Sequence, residues 1–231
     1  GVKLEDGTEL TASRIISGAD PKRTLLGLVG PDNLPPNSVG PARRLKTQTA
    51  YLKFHAALNR LPDFSRYFPD GYDPRYVASM KICPSMEYYQ AAWNDAAAGH
   101  PARQPVMEVQ IPSVLDDSLT EPGHHVMSIW GLYAPVRPSQ GSWDEIREQV
   151  GESLLDTLSV YAPDLRECIV DWSLFTPADL ERRVWLTDGN IRHLDIVPDQ
   201  YLDQRPMSGW SGYGTPINGL FLCGAGTHPG G

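Results

Sequence analysis

Cysteine is scarce in this chain, with three residues among 231, at Cys83, Cys168 and Cys223. Because the set is odd and widely spaced, it predicts neither a disulfide framework nor the paired spacing of a zinc site. A low cysteine content is typical of proteins from reducing compartments. We therefore expect a cytoplasmic protein, with the mitochondrial matrix as the alternative if the source is eukaryotic.

Positive charge is also scarce, since 20 Lys and Arg residues are outnumbered by 28 Asp and Glu residues and the formal net charge is -8. The densest basic segment, Arg43, Arg44 and Lys46, is too short to neutralise a run of phosphates. Nucleic acid is therefore not expected as a partner. No stretch approaches the roughly 20 apolar residues of a membrane-spanning helix.

The first residues lack two features of a complete N-terminus, an initiator Met and a visible signal peptide. They show a strand-and-turn pattern from Val2 to Gly7. From this pattern we expect the sequence to begin inside a domain.

Glycine and proline, in contrast, are abundant, with 21 residues each. They are scattered without a period, which excludes collagen-like and low-complexity chains and indicates many turns and short strands. A chain of this length buries roughly 70% of its unfolded surface. Strand-like and helix-like segments are mixed along it, and this mixture predicts an α+β fold with a largely antiparallel sheet and separate helices.

Runs rich in apolar and β-branched residues predict strands at 51–58, 106–111, 126–133 and 167–174. The second and third of these are expected to pair antiparallel. Near the start, Asp6-Gly7 predicts a hairpin whose second arm runs on to Ser17. Residues 30–41 are rich in Pro, Gly and Asn and are predicted to form a loop or a crossing between domains.

Helix starts are marked by capping residues. Ser142 and Glu145 form a capping box ahead of an apolar stripe at helical spacing, made of Ile146, Val150, Leu154, Leu158 and Tyr161. A helix is predicted from Pro84 to about Ala98, where Gly99 ends it. Asp20 is expected to cap a short helix that has Pro21 at its first position.

The chain closes on an apolar run followed by glycines, over residues 219–231. The run predicts a buried strand whose glycine-rich end lies close to a ligand or to neighbouring backbone. Backbone amides in such a loop can donate to phosphate or ribityl oxygens. A simple turn is the alternative, and composition alone favours it.

The wider context of this tail resembles a known family. Residues 215–231, Thr-Pro-Ile-Asn-Gly-Leu-Phe-Leu-Cys-Gly-Ala-Gly-Thr-His-Pro-Gly-Gly, are similar to the closing motif of phytoene desaturase-like flavoproteins. That family includes carotenoid desaturases, retinol saturases and pyridine nucleotide-disulphide oxidoreductase domain-containing proteins. Residues 189–195 resemble its Gly-Asn-Ile-x-His-x-Asp segment, and Arg205-Pro206 and Gly209-Trp210 follow at the expected places. Residues 2–21 resemble the hairpin that leads out of the flavin domain.

The resemblance implies a two-lobed FAD-dependent oxidoreductase of which this chain is the C-terminal part. It assigns 1–20 to a fragment of the FAD-binding lobe, 21–205 to the substrate-binding lobe, and 206–231 to a truncated return to the FAD-binding lobe. The Gly-x-Gly-x-x-Gly turn that holds the pyrophosphate does not follow any strand here. We therefore expect FAD in the intact protein, weak or no FAD binding by this chain alone, and no activity of this chain alone.

The motif also implies which residues contact FAD: Gly224, Gly226, Thr227, His228, Pro229, Gly230 and Gly231. Two roles stay open for His228, which either lies over the ring system or caps the loop. His193 and Asp195 would share one face of a strand and form either an acid–base pair or a structural pair. The structural pair is favoured because the family's chemistry depends on the flavin, and no catalytic residue is assigned.

Other candidate residues carry weaker signals. His124 and His125 are adjacent, so they point to opposite faces of a strand, and no metal is expected. His55 is expected in the core or on the surface. Trp130, Met107 and Tyr51 are candidates for the lining of a cavity that suits an apolar substrate.

The predicted function is hydride removal from a C–C or C–N bond of an apolar or amphipathic small molecule, or a redox-neutral isomerisation. The alternative is a non-catalytic module that binds a lipid-like ligand or a protein partner, and a histidine-based metal hydrolase is a third hypothesis. Peripheral membrane contact is left open as a further partner. Self-association through the face left by the missing lobe is left open as well.

Overall fold

The computed structural model describes residues 1–231 and contains nine β-strands and five α-helices. The strands are β1 (Val2–Lys3), β2 (Glu9–Leu10), β3 (Ile15–Ser17), β4 (Ala50–Leu58), β5 (Ser79–Ile82), β6 (Val106–Gln110), β7 (His125–Ala134), β8 (Ile169–Phe175) and β9 (Leu220–Leu222). The α-helices are α1 (Pro36–Arg44), α2 (Met86–Ala97), α3 (Trp143–Ser159), α4 (Leu165–Cys168) and α5 (Pro177–Val184). A π-helical segment covers Arg23–Val29, and the remaining helical pieces are short 3₁₀ turns. None of these helices has the length and apolar character needed to span a membrane.

The chain forms two compact units. Residues 1–48 and 181–231 make the first, here called the terminal unit, and residues 49–180 make the second, the central unit. The boundaries inferred from the resemblance, after residues 20 and 205, differ from these. Residues 21–48 and 181–205 lie in the same compact unit as the chain ends. The assignment of segments to a flavin lobe and a substrate lobe stays a prediction.

The central unit is built on a five-stranded sheet with the order β5-β6-β7-β4-β8, and every neighbouring pair is antiparallel. Together with the separate helices, this sheet confirms the predicted α+β class. The predicted pairing of the strands that contain Val106 and Val126 is confirmed by the register of β6 on β7. The predicted strand at 167–174 begins later than expected, because α4 takes up residues 165–168 before β8 starts.

One face of this sheet forms the main hydrophobic core. Alternate residues such as Leu52, Phe54, Met107 and Ile129 point to that face and are almost fully buried. Helix α3 covers it with Leu154, Leu155 and Leu158. Ser142 and Glu145 make the predicted capping box at the start of α3, and both of its hydrogen bonds are present. The local signal therefore fixes where the core-covering helix begins.

The terminal unit contains two small sheets. The hairpin predicted at Asp6-Gly7 is confirmed by the antiparallel pair β1 and β2. Its second arm does not run on to Ser17, because β3 is a separate strand that pairs in parallel with β9. The loop predicted at 30–41 is wrong from Pro36 onward, where α1 begins, while residues 30–35 contain only a short 3₁₀ turn. Proline is compatible with the first helical position, where its missing N–H is not needed.

Candidate functional site

The parallel pair of β3 and β9 places two distant parts of the chain side by side. Ile15, Ile16 and Ser17 lie opposite Leu220, Phe221 and Leu222, and the Cys223 amide donates to the Ser17 carbonyl at 2.9 Å. Both strands therefore end at the same edge of the sheet, and each continues into glycine, Gly18 on one side and Gly224 on the other. In open parallel sheets this carboxyl edge is where ligands bind.

One face of this strand pair is uncovered. Ile16 is 68% exposed and its register partner Phe221 is 37% exposed, whereas Leu222 is 2% exposed on the other face. The predicted buried strand at the tail is therefore correct for Leu222 only. Parallel sheets in proteins normally have both faces covered by other elements. Residues 213–215 also border β9 and pair antiparallel with it at Gly214 and Phe221. A parallel pair with a bare apolar face is still an incomplete version of that architecture.

An open groove of about 690 Å³ lies beside the strand pair within the terminal unit. Its apolar lining includes Ile15, Ile16, Leu28, Val29 and Leu220. Leu28 is 70% exposed, and Val2 of the hairpin, which also lines the groove, is exposed as well. The terminal unit therefore presents an apolar surface of the kind that soluble monomers usually cover.

Gly224 occupies the carboxyl edge as the resemblance implies. Its φ is +83°, it is exposed, and an added Cβ would lie 3.8 Å from the Gly18 carbonyl oxygen. Glycine adopts this conformation without strain, and the missing side chain leaves the edge open. Gly224 is therefore the predicted cofactor residue whose position suits a close approach of a ligand to backbone.

The other glycines of the tail are engaged by the chain itself. An added Cβ on Gly226 would lie 2.4 Å from Cδ of Pro21, and one on Gly231 would lie 2.5 Å from Cβ of Ala225. Gly230 packs against Tyr201, with a corresponding distance of 3.2 Å. Close packing within the chain thus explains why glycine occupies some positions of the tail. The assignment of these residues as cofactor contacts stays a prediction.

The three remaining tail residues differ in exposure. Thr227 is buried, and its hydroxyl donates to the Gly224 carbonyl at 2.7 Å, which closes the turn. Pro229 is exposed. Nδ1 of His228 is buried without a hydrogen bond and lies 3.6 Å from a carboxylate oxygen of Asp203. The choice between a ring-stacking and a loop-capping role for His228 stays open.

Asp20 ties the end of β3 to a distant turn. Its carboxylate accepts from the Arg23 amide at 2.9 Å, so the predicted helix cap is confirmed. The same carboxylate also accepts from the Thr187 amide at 3.0 Å and from the Thr187 hydroxyl at 2.9 Å. Asp20 is almost fully buried. It therefore fixes the position of the chain directly after Gly18.

Arg205 is the largest fully buried side chain of the protein, and it holds the tail in place. Its Nε donates to the carbonyl of Ala225 at 2.8 Å. Its two Nη atoms donate to four further carbonyls, those of Asp195, Gln200, Arg192 and Leu194. Burial lowers the pKa of the guanidinium. The sequence marks Arg205 as a motif residue, but no feature around it indicates that a cation is buried there.

His193 and Asp195 lie in an irregular segment outside any strand, so the expectation that they share a face of a strand is wrong. The Asp195 carboxylate accepts from the backbone N–H of Gln48 at 2.9 Å and from the side-chain amide of Asn190 at 2.8 Å. These bonds are those of a structural residue. His193 has a φ of +64°, and its ring lies 3.8 Å from where a Cβ on Gly224 would be. Burial lowers the pKa of His193, and its buried Nδ1 has no hydrogen-bond partner. His193 thus lies beside the carboxyl edge, and its surroundings disfavour the charged form of the ring.

The cavity candidates of the central unit do not share one face. Met107 is fully buried among the core residues, opposite Gly131, while Trp130 pairs with Glu108 on the other face of the sheet. Met107 therefore cannot line a cavity with Trp130 and Tyr51. His125 bonds to the Ser113 hydroxyl at 3.0 Å, and no three His, Cys, Asp or Glu side chains in residues 1–231 come together as a metal site.

Comparisons with curated proteins identify relatives along the whole chain. The mouse pyridine nucleotide-disulfide oxidoreductase domain-containing protein 2 is 35% identical over 100% of this chain and 41% of its own length. A limonene dehydrogenase polypeptide of Castellaniella defragrans is 27% identical over 96% of the chain and 42% of its own length. The lycopene-forming phytoene desaturase of Pseudescherichia vulneris is 28% identical over 99% of the chain and 44% of its own length.

The chain therefore spans about two-fifths of the length of the relatives that it matches. No family model matches it. Among solved structures, an oxidoreductase from Methanosarcina mazei is similar with a TM-score of 0.50 and 16% identity, over 96% of this chain and 40% of that one. At this identity the likeness concerns the fold.

Proposed function

We propose that this chain is the substrate-binding portion of an FAD-dependent enzyme. In support, its whole length is similar to about two-fifths of the length of phytoene desaturase-like oxidoreductases. The terminal unit would contribute short pieces of the flavin-binding lobe, and the central unit would contribute the substrate-binding sheet. The substrate is apolar or amphipathic. The chain alone is inactive because most of the flavin cradle lies outside residues 1–231.

The observation that carries the proposal is the bare parallel pair of β3 and β9. Its exposed Ile16 and Phe221 suit the packing of further strands and helices, which would complete a parallel sheet with both faces covered. At its carboxyl edge, Gly18 and Gly224 leave backbone open to a ligand. The pyrophosphate of a dinucleotide in such a sheet is held by a glycine turn on another strand, which this sequence does not contain.

The residues at the edge fit a flavin dinucleotide in a limited way. Gly224 would allow its backbone to lie against the cofactor, and the neighbouring His193 ring would border the same space. A bound flavin supplies the acceptor for a hydride. The chain's own part is to hold the substrate in a fixed orientation and to exclude water around the reacting bond.

A second candidate function has one observation in its favour, the 690 Å³ apolar groove of the terminal unit. Such a groove also suits a non-catalytic module that binds a lipid-like ligand or a protein partner. The two candidates differ in what covers the groove. In the enzyme it is the rest of the flavin lobe, and in the module it is a separate molecule.

FAD titration of the purified 231-residue chain tests the proposal. We expect no retained yellow chromophore and no saturable change in flavin fluorescence, because the pyrophosphate-holding turn is absent from the sequence. The matched measurement uses FMN, which lacks the adenylate half. Tight, stoichiometric FAD binding by this chain would show that the cradle is complete here and would overturn the proposed division of the flavin site.

A further inference from the structure

The sheet of the central unit has a second face, opposite the core, which we call the open face. Strand register arranges its side chains in two rows across the five strands. The first row is Lys81, Glu108, Trp130, Lys53 and Phe175, and the second row is Ser79, Gln110, Ser128, His55 and Ser173. Most of these side chains are exposed or half-buried. The open face is therefore polar and aromatic, unlike the core face.

Lys53 is the cation of this face that has no acidic partner. Its ammonium lies 4.1 Å from the centroid of the Trp130 ring and donates to the Ser128 hydroxyl at 3.0 Å. No carboxylate lies within 4.0 Å of it. Lys81, in the same row, pairs with Glu108 at 3.6 Å. A half-buried ammonium that contacts only neutral groups retains donor capacity and favours a nearby anion.

Burial also disfavours the charged form of Lys53 when no anion is near it. Desolvation by burial lowers the pKa of Lys53 and the pKa of His55, and the neighbouring Lys53 charge lowers the pKa of His55 further. Burial thus penalises the positively charged form of both side chains. An anion placed between Lys53, Ser128 and His55 would reverse that penalty.

Aromatic rings extend from Lys53 away from the polar row. Trp130 meets Tyr51 edge to face at a centroid distance of 6.5 Å, and Tyr51 meets Tyr133 at 6.2 Å. Tyr133 in turn contacts Trp93 of α2 at 5.1 Å, and Trp93 is 42% exposed. The open face thus has an aromatic end and a polar end, with Lys53 at the boundary.

We propose that the open face binds an amphiphile with a single carboxylate, whose charge meets Lys53 and Ser128 and whose apolar part lies along Trp130, Tyr133 and Trp93. This inference deepens the proposed function, on which it rests for the ligand's role as a substrate. It selects an amphipathic, anionic substrate over a wholly apolar one. A pure hydrocarbon would cover Lys53 without offering its ammonium a partner, at the cost of burying an unpaired charge.

The experiment uses decanoate and decanol as probes for the 231-residue chain, with decanoate kept below its critical micelle concentration and decanol below its solubility limit. Calorimetry gives both dissociation constants, and Trp fluorescence reports contact with Trp130. We expect decanoate to bind at least about tenfold more tightly than decanol, which is about 1.4 kcal/mol. The reason is that a hydrogen bond between two charged groups is stronger than one to a neutral hydroxyl.

The variants distinguish recognition of the carboxylate charge from nonspecific apolar binding. Lys53→Met should remove the preference for decanoate, and Lys53→Arg should largely keep it. Lys81→Met is the matched control, because it removes a lysine of the same row that is already paired, and it should leave the preference unchanged. Equal affinity for the two probes, no binding of either, or a preference that survives Lys53→Met would overturn the inference.

These outcomes are distinct from a failure of the proposed function. The probe measurement needs no flavin. A decanoate preference in a protein that never binds FAD would therefore refute the proposed enzyme function and leave the anionic ligand standing. Flavin binding without a decanoate preference would refute the anionic substrate and leave the proposed enzyme function standing.

Discussion

Replacing Arg205 by Met is expected to destabilise the terminal unit by at least about 3 kcal/mol, since it leaves several buried carbonyls without a donor. The five carbonyls that Arg205 binds belong to three separate pieces of chain, 192–195, residue 200 and residue 225. Met has a similar length and fills much of the space. The loss therefore measures the hydrogen bonds and not a cavity.

Urea unfolding gives the size of the effect, and hydrogen exchange gives its place. Amides of 192–204 and 223–231 should exchange faster in Arg205→Met than amides of β4 or β7 in the central unit. Arg205→Lys should lose less stability than Arg205→Met but more than the control, because an ammonium lacks the planar fork that reaches five acceptors. Arg43→Met is the control, as Arg43 is exposed in α1. If Arg205→Met unfolds with the same midpoint as Arg43→Met, the claim that Arg205 holds the tail is wrong.

The second large effect concerns flavin affinity in the protein encoded by the whole reading frame. There, Gly224→Ala is expected to raise the FAD dissociation constant at least about tenfold, or about 1.4 kcal/mol. The added methyl would project from the exposed carboxyl edge, 3.8 Å from both the Gly18 carbonyl oxygen and the His193 ring. A dinucleotide lying against that edge would have to move away from it.

Backbone strain is the competing cause, and Gly209→Ala controls for it. Gly209 has a φ of +82°, against +83° for Gly224, and an added Cβ there meets nothing within 4 Å. Both substitutions thus carry a similar left-handed penalty of roughly 1–2 kcal/mol. Equal losses of FAD affinity in the two variants would show that strain, and not contact with the cofactor, explains the result.

Features with local signals were predictable from the sequence. The capping box of Ser142 and Glu145 and the apolar stripe behind it specify α3 without any knowledge of the sheet. The alternation of 106–111 and the apolar run 126–133 specify two strands close enough along the chain to pair as neighbours. The hairpin at Asp6-Gly7 follows from turn chemistry alone.

Features that depend on distant residues were not predictable in this way. β3 and β9 are separated by about two hundred positions, and nothing in either segment indicates a parallel partner rather than a hairpin arm. Helix α1 was missed because Pro36 and Pro41 suggest a loop, although Ala42 is buried against Leu25 and Leu34. Arg205 and Lys53 were missed for the same reason, as burial and a missing acidic partner are properties of the assembled fold.

The flavin content of the protein made from the whole reading frame tests the central claim most directly. The account predicts a yellow product with close to one FAD per chain, and an upstream segment that carries a Gly-x-Gly-x-x-Gly turn after a strand. A well-folded, colourless product that takes up no added FAD would contradict it, and the bare face of β3 and β9 would then belong to a binding module.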